Sequence, residues 1–149
     1  MTPTPDVHDL ITRDDRHGIV LSRVEGPTAR DALFAHPWRV VGFARRAARL
    51  HASLHSQAVS SLPPARDSLV ARVKDGPLPQ MAREYVLTQL DALPAEETLC
   101  HGDFHPEYVL LTDDGPVVID WMDATTGHPA VDVAHTALLV RFRDRSKDG

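Results

Sequence analysis

A single cysteine, Cys100, stands in 149 residues. It rules out an internal disulfide and suits a reducing compartment. The opening Met-Thr-Pro-Thr-Pro-Asp has neither a basic nor an apolar stretch, so it does not read as a secretory signal. No apolar run approaches the ~18 residues a spanning helix needs. The chain is therefore expected to be soluble and cytoplasmic, without a membrane partner. Lysine is nearly missing: Lys74 and Lys147 are the only two. A net charge of −5 and the lack of a dominant basic stretch argue against a nucleic-acid partner held through its phosphates. The densest basic cluster, Arg45, Arg46 and Arg49, reads as a solvated helix face. No glycine-rich phosphate loop and no internal repeat occur.

What is present is an ordinary globular composition, 42% apolar, enough for one domain with a real core. Val7–Thr12 and Gly18–Val24 read as a β-hairpin ending at the turn Glu25-Gly26-Pro27. Thr28, with Asp31 three residues on, caps a short helix that stops near His36-Pro37. Val40, Phe43, Ala47, Leu50 and Leu54 recur at spacings of three and four and predict one face of a longer helix. Residues 58–68, with two adjacent prolines and three serines, read as a loop. Pro79 to Leu93 reads as a helix whose apolar face is Met81, Tyr85, Val86, Leu90 and Leu93. Pro129 opens a last helix with Val133, Ala137 and Val140 on one face. The tail from Arg141 to Gly149 is charged and expected to fray.

The chemistry concentrates in Leu99-Cys-His-Gly-Asp-Phe-His-Pro-Glu-Tyr-Val-Leu-Leu and, six residues later, Val117-Val-Ile-Asp-Trp. Asp103 lies in a loop after a short apolar segment. Asp120 closes a short apolar strand, and Asp113-Asp114-Gly115 turns between them. One loop carboxylate and one strand-end carboxylate joined by a hairpin suit phosphoryl transfer, with one aligning the acceptor hydroxyl and the other holding magnesium. The blander reading of Asp103 is a turn residue capping local amides. A carboxylate after Val117, Val118 and Ile119 would be costly if buried without a partner or cation. His51 and His55, at i and i+4, have metal-capable spacing but lack a zincin glutamate, and they read as core or edge histidines. His101-x-Asp103-x-His105 leaves a metallohydrolase as a distant reading.

These segments closely resemble the catalytic centre of the aminoglycoside phosphotransferase family, with its His-Gly-Asp-x-His-Pro-x-Asn loop, its Ile-Asp-Trp, and the later Gly127-x-Pro129-x-x-Asp132. The resemblance implies an α+β, protein-kinase-like fold. It would consist mainly of the helical C-terminal lobe, with a hinge hairpin and a short catalytic β-hairpin. It implies ATP as phosphoryl donor, Mg2+ as cofactor and a small-molecule hydroxyl as acceptor. Asp103 would be catalytic, and Asp120 the metal ligand. His101, His105 and Asp132 would support the loop, and the backbone of Arg23, Val24 and Glu25 would meet the nucleotide.

Two features depart from that pattern. Tyr108 occupies the position where the family offers a metal-binding asparagine, and Glu107 replaces a usually small residue. The lysine-bearing part of the N-terminal lobe is missing, so residues 1–27 read as its remnant hairpin and hinge, and 28–149 as the C-lobe of a single partial domain. The helices that usually follow the last one are missing too. The expected activity is an impaired phosphotransferase; the alternative is a non-catalytic remnant serving as a binding module. An isolated hairpin leaves an open edge, which predicts either a homodimer through these strands or disorder before Gly26.

Overall fold

The computed structural model describes residues 3–142. In chain order the elements are β1 (Val7–Arg13), β2 (Arg16–Leu21), α1 (Ala29–Ala35), α2 (Val40–Leu54), α3 (Ala65–Asp75), α4 (Gln80–Ala92), β3 (Thr98–Cys100), β4 (Val109–Thr112), β5 (Gly115–Val118), β6 (Thr125–Gly127) and α5 (Pro129–Phe142). The strands form three two-stranded antiparallel sheets, β1-β2, β3-β6 and β4-β5. The chain divides into two compact units, residues 1–50 with 105–120, and residues 51–104 with 121–149.

In the first unit β1 and β2 meet at a two-residue turn whose Asp14 and Asp15 both take positive φ, 51° and 58°. That conformation matches the right-handed twist of the flanking strands. The turn is tighter than the five-residue connection expected from Arg13–His17, and β2 ends at Leu21 rather than Val24. Thr28 caps α1 as expected, accepting from the Asp31 amide at 3.0 Å and donating to its carboxylate at 2.7 Å. Ala29, Val109 and Val118 form the buried centre of this unit. The strand before Asp120 is thus covered. At Gly26, φ is +153° and an added Cβ would lie 2.2 Å from the Leu111 carbonyl oxygen, so the chain passes β4 with room only for hydrogen. The Leu111 amide donates to the Pro27 carbonyl at 2.9 Å.

In the second unit α3 is a correction to the sequence reading, because it begins inside the stretch expected to be a loop. Pro63 and Pro64 precede this helix instead of breaking it, since the first helical residues need no intrahelical N–H partner. The faces of two other helices also differ from expectation. Met81 is 83% exposed and Tyr85 also points outward. Val86, Leu90 and Leu93 are half-buried as expected, and Arg83 joins them. Arg83 faces inward because its guanidinium donates to the carbonyls of Gly76 and Leu78, at 3.1 and 3.2 Å. On α5, Val133, Ala137 and Val140 are exposed, while Asp132, His135, Thr136 and Leu139 turn inward. This helix is apolar nearly all round, so apolar spacing gave no direction; its inner face is selected by Asp132 and His135, which have partners on the loop at 101–102. On α2 the expected face holds at Phe43, Ala47, Leu50 and Leu54, although Val40 is exposed; Arg45, Arg46 and Arg49 are exposed. Most of the tail, from residue 143 onward, lies outside the described residues.

Candidate active site

The loop carrying Asp103 leaves β3, which pairs with β6 in the register Thr98↔Gly127, Leu99↔Thr126 and Cys100↔Thr125. Ala58 and Pro64 add bridges to Thr98 and Thr126, so the small sheet has neighbours on both sides. His101 follows, fully buried, and its Nδ1 accepts from the Asp103 amide at 3.2 Å. Gly102 holds φ +82°, and a Cβ there would lie 2.1 Å from the Asp123 carbonyl oxygen. Only glycine meets both conditions. Phe104 is buried with its ring stacked on His51, 4.3 Å between centroids and 14° between planes.

Asp132, in the first turn of α5, reaches this loop. Its Oδ2 accepts from the His101 amide at 2.8 Å, and its Oδ1 from the Gly102 amide at 2.9 Å. His51 Nε2 and His55 Nε2 point at the same Oδ2, at 2.9 and 3.1 Å. Burial alone would push this carboxyl's pKa up. The hydrogen bonds from His51, His55 and the two loop amides outweigh burial and hold it well below the usual carboxylate range. From one turn further along α5, His135 Nδ1 is hydrogen-bonded to the Gly102 carbonyl oxygen. The Gly102 peptide neighbourhood is thus held by two residues at i and i+3 of one helix. Sequence reasoning missed His135, and placed His51 and His55 no further than core or edge. The signal for all three was helical spacing, which gives a shared face but not its partner.

The neighbouring Cys100 thiol is pushed up to about 12 by burial, and then by the negative charges of Asp132 and Glu96. It is not a reactive nucleophile. A cavity of about 530 Å³ opens beside these residues, between α3 and α5, and Arg72, Cys100, Asp123 and His135 contribute to its walls.

The remaining sequence-selected residues lie in the other unit. His105 is buried, and its Nδ1 accepts from the Glu107 amide at 3.2 Å, capping a one-turn 3-10 helix over Pro106–Tyr108. Tyr108 sets its ring against His105, 4.2 Å away, and its carbonyl accepts from the Ile119 amide at 3.0 Å. Glu107 is paired with Arg30 at 3.3 Å. Asp120 is exposed, with φ +64°, two residues beyond β5. Its carboxylate is therefore not a buried charge demanding a partner, and burial gives no argument for a cation there. Arg23, Val24 and Glu25 lie in chain outside any strand, with Arg23 and Glu25 forming a solvated pair at 3.3 Å. Lys74 sits exposed in the last turn of α3. Lys147 lies outside the described residues. No helix among the described residues is long and apolar enough to cross a membrane.

The chain is similar to aminoglycoside phosphotransferase APH(4)-Ia, with a TM-score of 0.71 and 18% identity over 94% of this chain and 56% of that one. A thermostable mutant of APH(4)-Ia, in ternary complex with ADP and hygromycin B, matches with a TM-score of 0.70, 18% identity and the same coverage. An aminoglycoside-3'-phosphotransferase of type VIII matches with a TM-score of 0.57 and 23% identity over 99% of this chain and 68% of that one. The chain spans a little over half the length of the APH(4)-Ia structures. No match is found among curated proteins. The fold is that of kinase-like phosphotransferases, and the pattern of the phosphotransferase enzyme family matches residues 2–148, with His-Gly-Asp and Ile-Asp-Trp inside the match. The chain belongs to the phosphotransferase enzyme family.

Proposed function

We propose that this protein carries the catalytic apparatus for ATP- and Mg2+-dependent phosphoryl transfer to a small-molecule hydroxyl, in impaired form. The observation that carries the reading is the loop itself. The backbone just before Asp103 is bonded through the His101 and Gly102 amides to Asp132 and through the Gly102 carbonyl to His135. A carboxylate presented from a fixed backbone can align an acceptor hydroxyl and take its proton, and positioning is most of what phosphoryl transfer asks of a protein. In this reading Asp103 is the catalytic residue. Asp132 and His101 position it, and His105 fixes the turn that precedes β4. Residues 1–27 serve as the hinge end of an N-terminal lobe, with the backbone of Arg23–Glu25 offered to adenine, and 28–149 as the C-lobe.

Asp120 supplies one hard oxygen at the end of β5, which suits magnesium, since that ion commonly takes only one or two protein carboxylates. When bound, the ion would neutralise charge on the nucleotide phosphates. Tyr108 adds no comparable ligand, because a neutral phenol is a poor one and its ring is set against His105. Glu107 does not replace it freely, being paired with Arg30. Loss of one ligand from charge stabilisation worth several kcal/mol supports slow turnover, at about tenfold per 1.4 kcal/mol. The same two residues favour the second reading, a non-catalytic binding module.

The test is ATP consumption by the purified chain against a panel of hydroxyl compounds. We expect weak nucleotide binding and slow or negligible turnover, with any turnover abolished by Asp103→Asn. Tyr108→Asn should tighten magnesium binding with little gain in rate. Turnover unaffected by Asp103→Asn would overturn the assignment. Complete absence of nucleotide binding, with or without Tyr108→Asn, would favour the binding module. We further propose self-association through the edges of β1 and β2, whose apolar side chains are exposed on both faces.

A further inference from the structure

His51 and His55 are spaced i and i+4 at the C-terminal end of α2, and both aim Nε2 at a single atom, Asp132 Oδ2. That oxygen also accepts from the His101 amide, so three N–H groups converge on one oxygen, while Oδ1 receives only the Gly102 amide. A carboxylate oxygen offers about two lone pairs, so Oδ2 is over-subscribed. The three side chains are nearly closed to solvent, at 8%, 9% and 0% exposure, and their three ligand atoms lie within 4.8 Å of one another. The stack of His51 on Phe104 holds one imidazole in this orientation.

We propose that His51, His55 and Asp132 form a binding site for a divalent cation of the zinc class. Two imidazole nitrogens and one carboxylate oxygen are a common zinc donor set, and they match magnesium poorly, since it wants oxygen throughout. The observed N···O separations of 2.9 and 3.1 Å lie only a few tenths of an ångström below the edge, about 3.3 Å, of a tetrahedron with ~2.0 Å bonds. With all three ligand atoms within 4.8 Å of one another, rotation of the imidazoles would bring them round an ion. Each imidazole would carry its proton on Nδ1 and turn its Nε2 lone pair to the ion. Oδ2 would then give one lone pair to the ion and keep the other for the His101 amide, and Oδ1 would keep Gly102. The crowding on Oδ2 is relieved without releasing the loop. A water completes the fourth position. The ion would fasten the end of α2, the loop at 101–102 and the start of α5 through one point.

The test uses the whole chain, freed of metal, and Co2+ as a spectroscopic probe. We expect one equivalent of Co2+ to give the visible bands of a tetrahedral ion, and one equivalent of Zn2+ to remove them. His55→Gln should weaken binding by at least about 100-fold, since even outer partners of metal ligands are worth 10–100-fold. His128→Gln should leave binding unchanged. His55→Cys should retain the ion and add a thiolate-to-cobalt charge-transfer band. Absence of tetrahedral bands in the unaltered chain would overturn the proposal, as would bands indifferent to both His55 substitutions. The readout is the metal's spectrum, so failure leaves the phosphotransferase reading untouched.

Discussion

The loop at His101–Phe104 and the hairpin β1-β2 are held in opposite ways. The hairpin is bound mainly to itself. Besides its ladder it has a Ser22 amide on the Asp6 carbonyl, an Asp6 amide on Ser22 Oγ and a Thr12–His17 side-chain bond, all within 16 residues along the chain. Leu10 is 74% exposed, and Val7, Ile11, Ile19, Val20 and Leu21 are exposed as well. The loop takes its bonds from 30 or more residues away, at Asp132 and His135, and its flanking residues His101 and Phe104 are buried. A short loop can therefore be more rigid than a regular strand pair. Regularity records local bonding, whereas rigidity depends on what lies beyond it.

The largest effect should come from removing the loop's anchor. Asp132→Ala leaves two buried histidines and two amides without their acceptor and should cost about 3–5 kcal/mol by urea unfolding. Acid should act in the same sense. The folded carboxyl is held below its ordinary range, so its contribution is complete above that range and is lost as pH falls below about 4. An acid transition unchanged by Asp132→Asn would break this side of the comparison. Next, Gly102→Ala should cost more than the ~1–2 kcal/mol of a left-handed residue, because its Cβ also meets Asp123. Gly18→Ala in the hairpin, where the nearest neighbour is a flexible Ile11 side chain at 3.3 Å, should cost less. Thirdly, Cys100 should resist thiol reagents at pH 8 in the folded chain. Between about 9, its ordinary value, and about 12 it stays protonated when folded but ionises when unfolded, so stability should decline across that window. Smallest of all, Ile19→Ser should change unfolding by no more than about 0.5 kcal/mol. Amides at 7–21 should exchange quickly in dilute protein and become protected as concentration rises, with sedimentation reporting a dimer. Strong protection in a strict monomer would show that the hairpin has cover of its own.

The sequence revealed what is local. The Thr28 cap, the hairpins β1-β2 and β4-β5, the turn at Asp113–Gly115 and the motif around Asp103 could be read because each depends on residues a few places apart, whereas β6, whose partner β3 lies about 27 residues earlier, was not. The start of α3 was misread because adjacent prolines break a helix from within but not from its front. The inward face of α5 was misread for a different reason. Val133, Ala137 and Val140 share a stripe, but Asp132 and His135 have partners on the loop, and partners outrank hydropathy on a helix whose apolar residues are spread nearly all round. Likewise, His51 and His55 declared a common face, while Asp132, about 80 positions further on, decided what that face would meet.

Those distances along the chain also set an order of assembly. The strands of the hairpin can pair from the first 22 residues, since their hydrogen-bond partners are nearby, whereas α1 also needs the stretch at 107–111, where Glu107 meets Arg30 and Leu110 bridges Thr28. The loop around Asp103 cannot take its final shape until the residues at 132–135 are available, because contacts between distant segments must first overcome the entropy of closing the chain. On a chain made from its N-terminus, the part that resembles an active centre therefore matures last. A chain interrupted before α5 would contain the whole His-Gly-Asp motif and still lack the conformation that gives the motif its meaning.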